Sequence, residues 1–239
     1  MAIDFENINT IDLSNLKIIP KTLKGLFSGC SGLTKIDGLS KLNTSEVIDM
    51  SRMFVDCEKL QEIDLSNFNT YLVRDMSYMF NNCKELKALN LSNFDTSSVI
   101  NMSYMFADSE GLSSLDLSNF DTSSLKDIKE MFKNCSNLKY LDISNFNLNG
   151  KTFESTFKLI KLKYINIYNA IYESSNSNFL DQKSFLQDSI DEGLMVCQKE
   201  KIIVGKNVIY GCCLFELFDV DGLKCVDILK LKYGKKNRI

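Results

Sequence analysis

Phe54, Phe80, Phe106 and Phe132 follow one another at intervals of 26 residues, each in the same local sequence. Phe27 precedes the set by 27 residues and Phe157 follows it by 25. A second set keeps step with the first: Ile11, Ile36, Ile63, Leu89, Leu115, Leu141 and Ile165. No other feature constrains the fold as much as this period. A unit of this size cannot bury its apolar side alone, so successive units must stack and cover one another. A reaction centre, by contrast, needs a few unlike groups converging on one point and gains nothing from restating a surface.

One unit reads L-x-x-L-x-L-S-N-F-D-T-S-x-V-x-x-M-x-x-M-F-x-x-C. Its L-D-L portion alternates apolar and polar residues, which predicts a short strand. The S-N-F-D-T-S-S portion is dense in residues whose side chains bond nearby backbone amides in turns and caps. In VINMSYMF, Val99, Met102 and the Met105/Phe106 pair recur at helical spacing, predicting a helix of two turns with one apolar face. Parallel pairing of successive strands about 4.8 Å apart predicts a stack of six or seven coils, roughly 30 Å tall. The expected fold is an α/β solenoid over residues 1–170. A polar boundary at 171–193, a small, mainly β, cysteine-bearing module at 194–228 and a basic tail at 229–239 follow it.

The stretch LDLSNFDTSSLKDIKEMFKNCSNLKYLDISNF resembles the repeat of BspA-type leucine-rich-repeat surface proteins. The resemblance covers about residues 10–170, because the S-N-F-D-T-S, M-x-x-M-F and N-C blocks recur together and in order. It implies a cell-surface protein that adheres or binds a ligand, with no catalytic residue in the repeat. It also implies a structural ladder of asparagines, here Asn67, Asn93, Asn119 and Asn145, which stand one place earlier than the usual leucine-rich-repeat spacing. The first and last units, which lose parts of the motif, read as end caps.

Other recurrent columns have simpler readings. Met53, Met79, Met105 and Met131, with their Phe neighbours, are expected to fill the core. Cys30, Cys57, Cys83 and Cys135, with Ser109 in the same place once, stand one per coil. That is too dispersed for a tetrahedral zinc site, and they are expected to be buried free thiols. Asp37, Asp64, Asn90, Asp116 and Asp142 are the outward residues of the strands, and form the candidate partner-binding column for a cation or basic surface. Ordinary solvated residues on a sheet are the competing reading.

The chain holds no histidine, which removes Ser/His and Cys/His catalysis and the HExxH zinc motif. A net charge of −3 and the absence of a basic stripe argue against nucleic acid as partner. No run approaches 18 apolar residues, so no membrane span is expected. No cofactor or metal is expected either. The opening MAIDFENINTIDLSNL has neither a basic nor an apolar leader region, so no signal peptide is read there.

Beyond Asn169 the period stops. LMVCQKEKIIVGKNVIYGCC reads as two strands around a GKN turn. Cys197, Cys212, Cys213 and Cys225 fall outside the repeat register and lack a C-x-x-C knuckle. Two disulfides stapling a small module suit them, with Cys197 joined to one of the vicinal pair and Cys225 to the other. Such bridges place the chain outside the cell, where it would bind a protein or glycan across its repeat face. An intracellular repeat scaffold with reduced cysteines is the alternative.

Overall fold

The computed structural model describes residues 7–147, 156, 160 and 162–166, together with the backbone of 195–197, 201–204, 207–210, 219–220 and 223–224. Its strands are short: β1 (Thr10–Asp12), β2 (Lys35–Asp37), β3 (Ser114–Asp116), β4 (Tyr140–Asp142), β5 (Tyr164–Asn166), β6 (Met195–Cys197), β7 (Lys201–Val204), β8 (Asn207–Tyr210), β9 (Asp219–Val220) and β10 (Leu223–Lys224). β1 and β2 pair in parallel, with Ile11 opposite Ile36. β3, β4, β5 and β6 also run parallel, and Leu115, Leu141, Ile165 and Val196 align across them. β7 and β8 then continue the same sheet antiparallel. β9 and β10 form a separate antiparallel pair.

The two strands expected around the GKN turn are β7 and β8. β6 joins them to the sheet of the repeats, so the first strands of the 194–228 segment extend that sheet. The 171–193 boundary and the 229–239 tail lie outside the described residues, as does Phe157.

A second parallel register runs elsewhere in the repeat, through Thr22, Asp49, Asp75, Asn101 and Asp127. It occupies the segment where the helix was expected, and it corrects that expectation. There is no α-helix among the described residues; a 3₁₀ turn at Leu39–Lys41 is present instead. Met50, Arg52, Phe54 and Asp56 donate their amides to the carbonyls of Asp75, Ser77, Met79 and Asn81 in the next repeat. The intervening amides of Met53, Val55 and Cys57 bond back to Met50, Arg52 and Phe54 as turns. Every second N–H thus leaves its own repeat, which an α-helix forbids.

The backbone that allows this is left-handed at two places per repeat. Arg52, Tyr78, Tyr104 and Glu130 have φ between 52° and 59°, and Asp56, Asn82, Asp108 and Asn134 between 57° and 62°. Gly25 and Gly29 hold the same two places in the first repeat, at φ 62° and 77°. Those glycines, and the Asp/Asn column after them, were the readable sign of a left-handed position.

Strands expected around Ile63 and Leu89 are also absent as hydrogen-bonded strands. Parallel pairing is therefore interrupted between β2 and β3.

The core is a set of columns. Phe27, Phe54, Phe80, Phe106 and Phe132 stack with ring centroids 5.3 to 5.9 Å apart and planes within 13°. Each such ring contributes about 2–3 kcal/mol by leaving water. Met50, Met76 and Met102 and the Met53, Met79, Met105, Met131 column are fully buried beside them. Thr44, Thr70, Thr96 and Thr122 form a buried polar column that sequence reasoning missed. The Oγ1 of each of the first three donates to the next repeat, at Asn69, Asp95 and Asp121 carbonyls, within 3.0 Å.

Candidate functional site

The expected partner-binding column is on the surface, with part of its bonding capacity already used. Asp64, Asn90 and Asp116 are exposed, while Asp37 and Asp142 are half-buried. Oδ1 of Asp64, Asn90, Asp116 and Asp142 accepts the amide of the serine two residues on, at 2.9 to 3.1 Å. Asp37 is instead paired with Lys35 at 2.6 Å, and Asp142 Oδ2 accepts from Asn166. Hydrogen bonds from Ser66 hold the Asp64 carboxyl below its usual range. Four of the five members, all but Asp37, therefore close turns.

Two more columns do the same. Asp49, Asp75, Asn101 and Asp127 accept the amides of Ser51, Ser77, Ser103 and Lys129. Asn43, Asn69, Asp95 and Asp121 accept those of Ser45, Tyr71, Ser97 and Ser123. The repeats of Asp64, Asn90 and Asp116 thus each turn three corners on a short polar side chain, and the sequence column singled out as a binding row is one of three of a kind.

The asparagine column donates to the preceding repeat. Asn93 Nδ2 bonds the Leu65 and Phe68 carbonyls, and Asn119 Nδ2 bonds those of Leu91 and Phe94. Asn67 and Asn145 reach Ser40 and Ser118 carbonyls. Turn carbonyls, rather than turn amides, are what these side chains satisfy.

Cys30, Cys57, Cys83 and Cys135 are buried and free. Burial pushes the Cys57 and Cys135 thiols up to about 12, and that of Cys83 well above its ordinary value. A buried thiol held in its neutral form is a poor nucleophile at neutral pH. Of the tail cysteines, Cys197 lies on β6; Cys212, Cys213 and Cys225 lie outside the described residues. Among the described residues there is no group of three or more metal-ligating side chains, and no helix long and apolar enough to cross a membrane.

Two surface rows were not anticipated, the first mostly half-buried and the second exposed. In the first, the Arg52 guanidinium lies 4.3 Å over the Tyr78 ring, and Tyr78 stacks on Tyr104 at 4.6 Å. Tyr104 donates to Glu130 at 3.0 Å, and Glu130 pairs with Lys133. Burial, then the Glu130 carboxylate, pushes the Tyr104 phenol up to about 12. The ring faces are used on one another, so this row braces the left-handed residues that carry it.

The second row is Lys21, Ile48, Arg74, Ile100 and Lys126, in single file. The amides of Ile48, Arg74, Ile100 and Lys126 each bond the carbonyl one member back, at 2.9 to 3.0 Å. Ile48 and Ile100 are 52% and 41% exposed, with Tyr71 and Leu72 exposed nearby in the chain. Lys21, Arg74 and Lys126 take part in no ion pair among the described residues. The signal for this row was its register, one residue before each Asp/Asn of the second parallel ladder.

Fold and surface together define a protein of stacked 26-residue repeats whose differences from one repeat to the next lie mainly outside the core. The family model described as "Mycoplasma protein of unknown function, DUF285" matches residues 2–89 and again residues 58–169, and the chain belongs to that family. No curated protein matches it.

Proposed function

We propose that this chain is a non-enzymatic leucine-rich-repeat solenoid of BspA-type character, acting at a cell surface by binding a ligand along its repeats. The observation that carries the reading is the Lys21–Ile48–Arg74–Ile100–Lys126 file. Large aliphatic side chains held in water cost solubility, and alternating them with unpaired cations on a rigid ladder suits a partner of opposite character. That partner is a protein surface with acidic and apolar residues, because the exposed Ile48 and Ile100 need apolar contact between the ion pairs that Lys21, Arg74 and Lys126 would make. Rigid presentation supports the reading as well, since side chains already ordered by the ladder lose little freedom on binding.

An array of immobilised acidic peptides and glycans tests it. The chain is expected to be retained on acidic peptides that also carry aliphatic residues. Replacing Ile100→Ser, Arg74→Glu and Lys126→Glu together is expected to lower that retention at least tenfold with an unchanged circular dichroism spectrum. Retention on glycans alone, or undiminished retention of the triple variant, would refute the assignment of this face.

A further inference from the structure

The Lys21–Ile48–Arg74–Ile100–Lys126 file discriminates among the shapes a partner can present. Each member is tied to the one before it by an amide-to-carbonyl bond of 2.9 to 3.0 Å, so the side chains stand side by side. Parallel backbone bonded in this way is spaced about 4.8 Å, which brings a cation round about every 9.6 Å. One exposed isoleucine stands between each pair of cations. The file is widest at Arg74. Tyr71 and Leu72, just before it in the chain, are 59% and 42% exposed. The corresponding places hold Ser45 and Glu46, Ser97 and Ser98, and Ser123 and Ser124. Between residues 27 and 147, the exposed large apolar side chains are Ile48, Tyr71, Leu72 and Ile100, so the file and its flank hold them all.

A partner that meets every member must repeat at the same spacing. An extended strand laid along the file shows same-face side chains about 6.6 Å apart, and its second one already falls between two members. An α-helix rises about 1.5 Å per residue, so side chains at i, i+4 and i+7 recur about every 5.3 Å on one face. Over the four steps of the file the two spacings part by about 2 Å, which the flexible stems of lysine and arginine absorb. We propose, resting on the assignment of this file as the binding face, that its occupant is one amphipathic α-helix of another protein, lying along the stack. Charge complementarity sets its sequence. Acidic residues at i, i+7 and i+14 meet Lys21, Arg74 and Lys126, and aliphatic residues at i+4 and i+11 meet Ile48 and Ile100. Arg74, with Ile48, Ile100 and Leu72 about it, is the centre of the contact.

The test titrates the full chain into two labelled peptides of equal length and composition. One carries Glu at i, i+7 and i+14 and Leu at i+4 and i+11; the other carries the same five residues at alternate positions, which line one face only in a strand. The first is expected to bind at least tenfold more tightly. Arg74→Glu is expected to weaken that binding at least tenfold, and changing the middle Glu of the peptide to Lys is expected to restore it. Equal or tighter binding of the alternating peptide would overturn the helical partner, as would failure of the charge exchange or a dimer of the chain that Arg74→Glu abolishes. Retention on the acidic-peptide array does not depend on register, so a helix that fails while the array still retains the chain leaves the face standing. Binding to neither peptide and to no array member overturns both.

Discussion

Cys83 and Ser109 stand one repeat apart and make the same hydrogen bond through different elements. Cys83 Sγ donates to the Phe54 carbonyl at 3.2 Å, and Ser109 Oγ donates to the Phe80 carbonyl at 2.5 Å. The Cys83 amide in turn donates to Ser109 Oγ at 3.3 Å. Cys57 and Cys135 repeat the pattern toward Phe27 and Phe106. The column is therefore a column of small buried donors, and sulfur is not required. Cys83→Ser is expected to leave stability within about 0.5 kcal/mol of wild type, whereas Cys83→Ala removes one of two hydrogen bonds to the Phe54 carbonyl, which keeps the Cys57 amide, and costs about 0.5–1.5 kcal/mol. Urea denaturation of the two variants separates them, and equal losses would reject the donor role.

The same thiols give the fold an alkaline limit. Cys57 and Cys135 rise from 9.0 to about 12 on burial, so the folded chain holds these protons more tightly than the unfolded one. A raised pKa gives stability that is complete below pH 9 and is lost as pH climbs toward 12. The melting temperature is expected to be level up to pH 9 and to fall above it. A Cys57→Ser, Cys135→Ser double variant should fall less steeply, since serine does not ionise there. Identical alkaline profiles would count against buried thiols as the cause.

Gly29 and Gly38 are both left-handed, at φ 77° and 72°, but for unlike reasons. A Cβ on Gly29 would meet nothing within 4 Å, while one on Gly38 would lie 2.5 Å from the Ser14 backbone nitrogen. Gly29→Ala thus carries only the backbone term, about 1–2 kcal/mol, and Gly29→Asn less. Gly38→Ala adds a clash with main chain that cannot rotate away, and is expected to cost at least about 3 kcal/mol. Thermal melts of the pair check the order; a milder effect at Gly38 would contradict it.

Thr96 and Asn119 both bond backbone carbonyls in an adjacent repeat, at opposite depths. Thr96 is 1% exposed and donates to Asp121 at 2.9 Å; Asn119 is exposed. Water can replace the Asn119 amide but cannot reach Thr96. Thr96→Val is expected to cost about 1–3 kcal/mol and Asn119→Ala about 0.5–1.5 kcal/mol. Chemical denaturation giving the reverse ranking would make the exposed ladder the principal one.

Replacing Asp64, Asp116 and Asp142 by Asn tests whether the acidic column serves turns or a partner. Asn90 already closes the same turn, bonding the Ser92 amide at 3.1 Å. The triple variant is therefore expected to fold, the relief of like charges along the stack offsetting part of the loss, about 1 kcal/mol, of the bond that Asp142 Oδ2 accepts from buried Asn166. Its retention on acidic peptides should match that of wild type. A loss of retention would return the binding site to this column.

By itself the sequence determined the period, the parallel register of β1–β2 and β3–β4–β5, the β7–β8 pair, and the residues that fill the interior. These follow from apolar spacing, which acts locally and is copied 26 residues on. The helix expected around Met102 and Phe106 shows where that reading stops. Residues three and four apart share a face in a helix, but they also share one in a chain of turns whose alternate amides bond the next repeat. Apolar spacing alone does not tell the two apart; Gly25 and Gly29, and the Asp/Asn column after Gly29, did carry the distinction. Which polar columns close turns and which face a partner was decided in three dimensions. An aspartate looks the same in sequence whether its Oδ1 holds a serine amide, as in Asp116, or water. The exposure of Ile48 beside buried Val47 was likewise a tertiary fact, because a residue is buried by the neighbours its backbone turns it toward and not by its own letter.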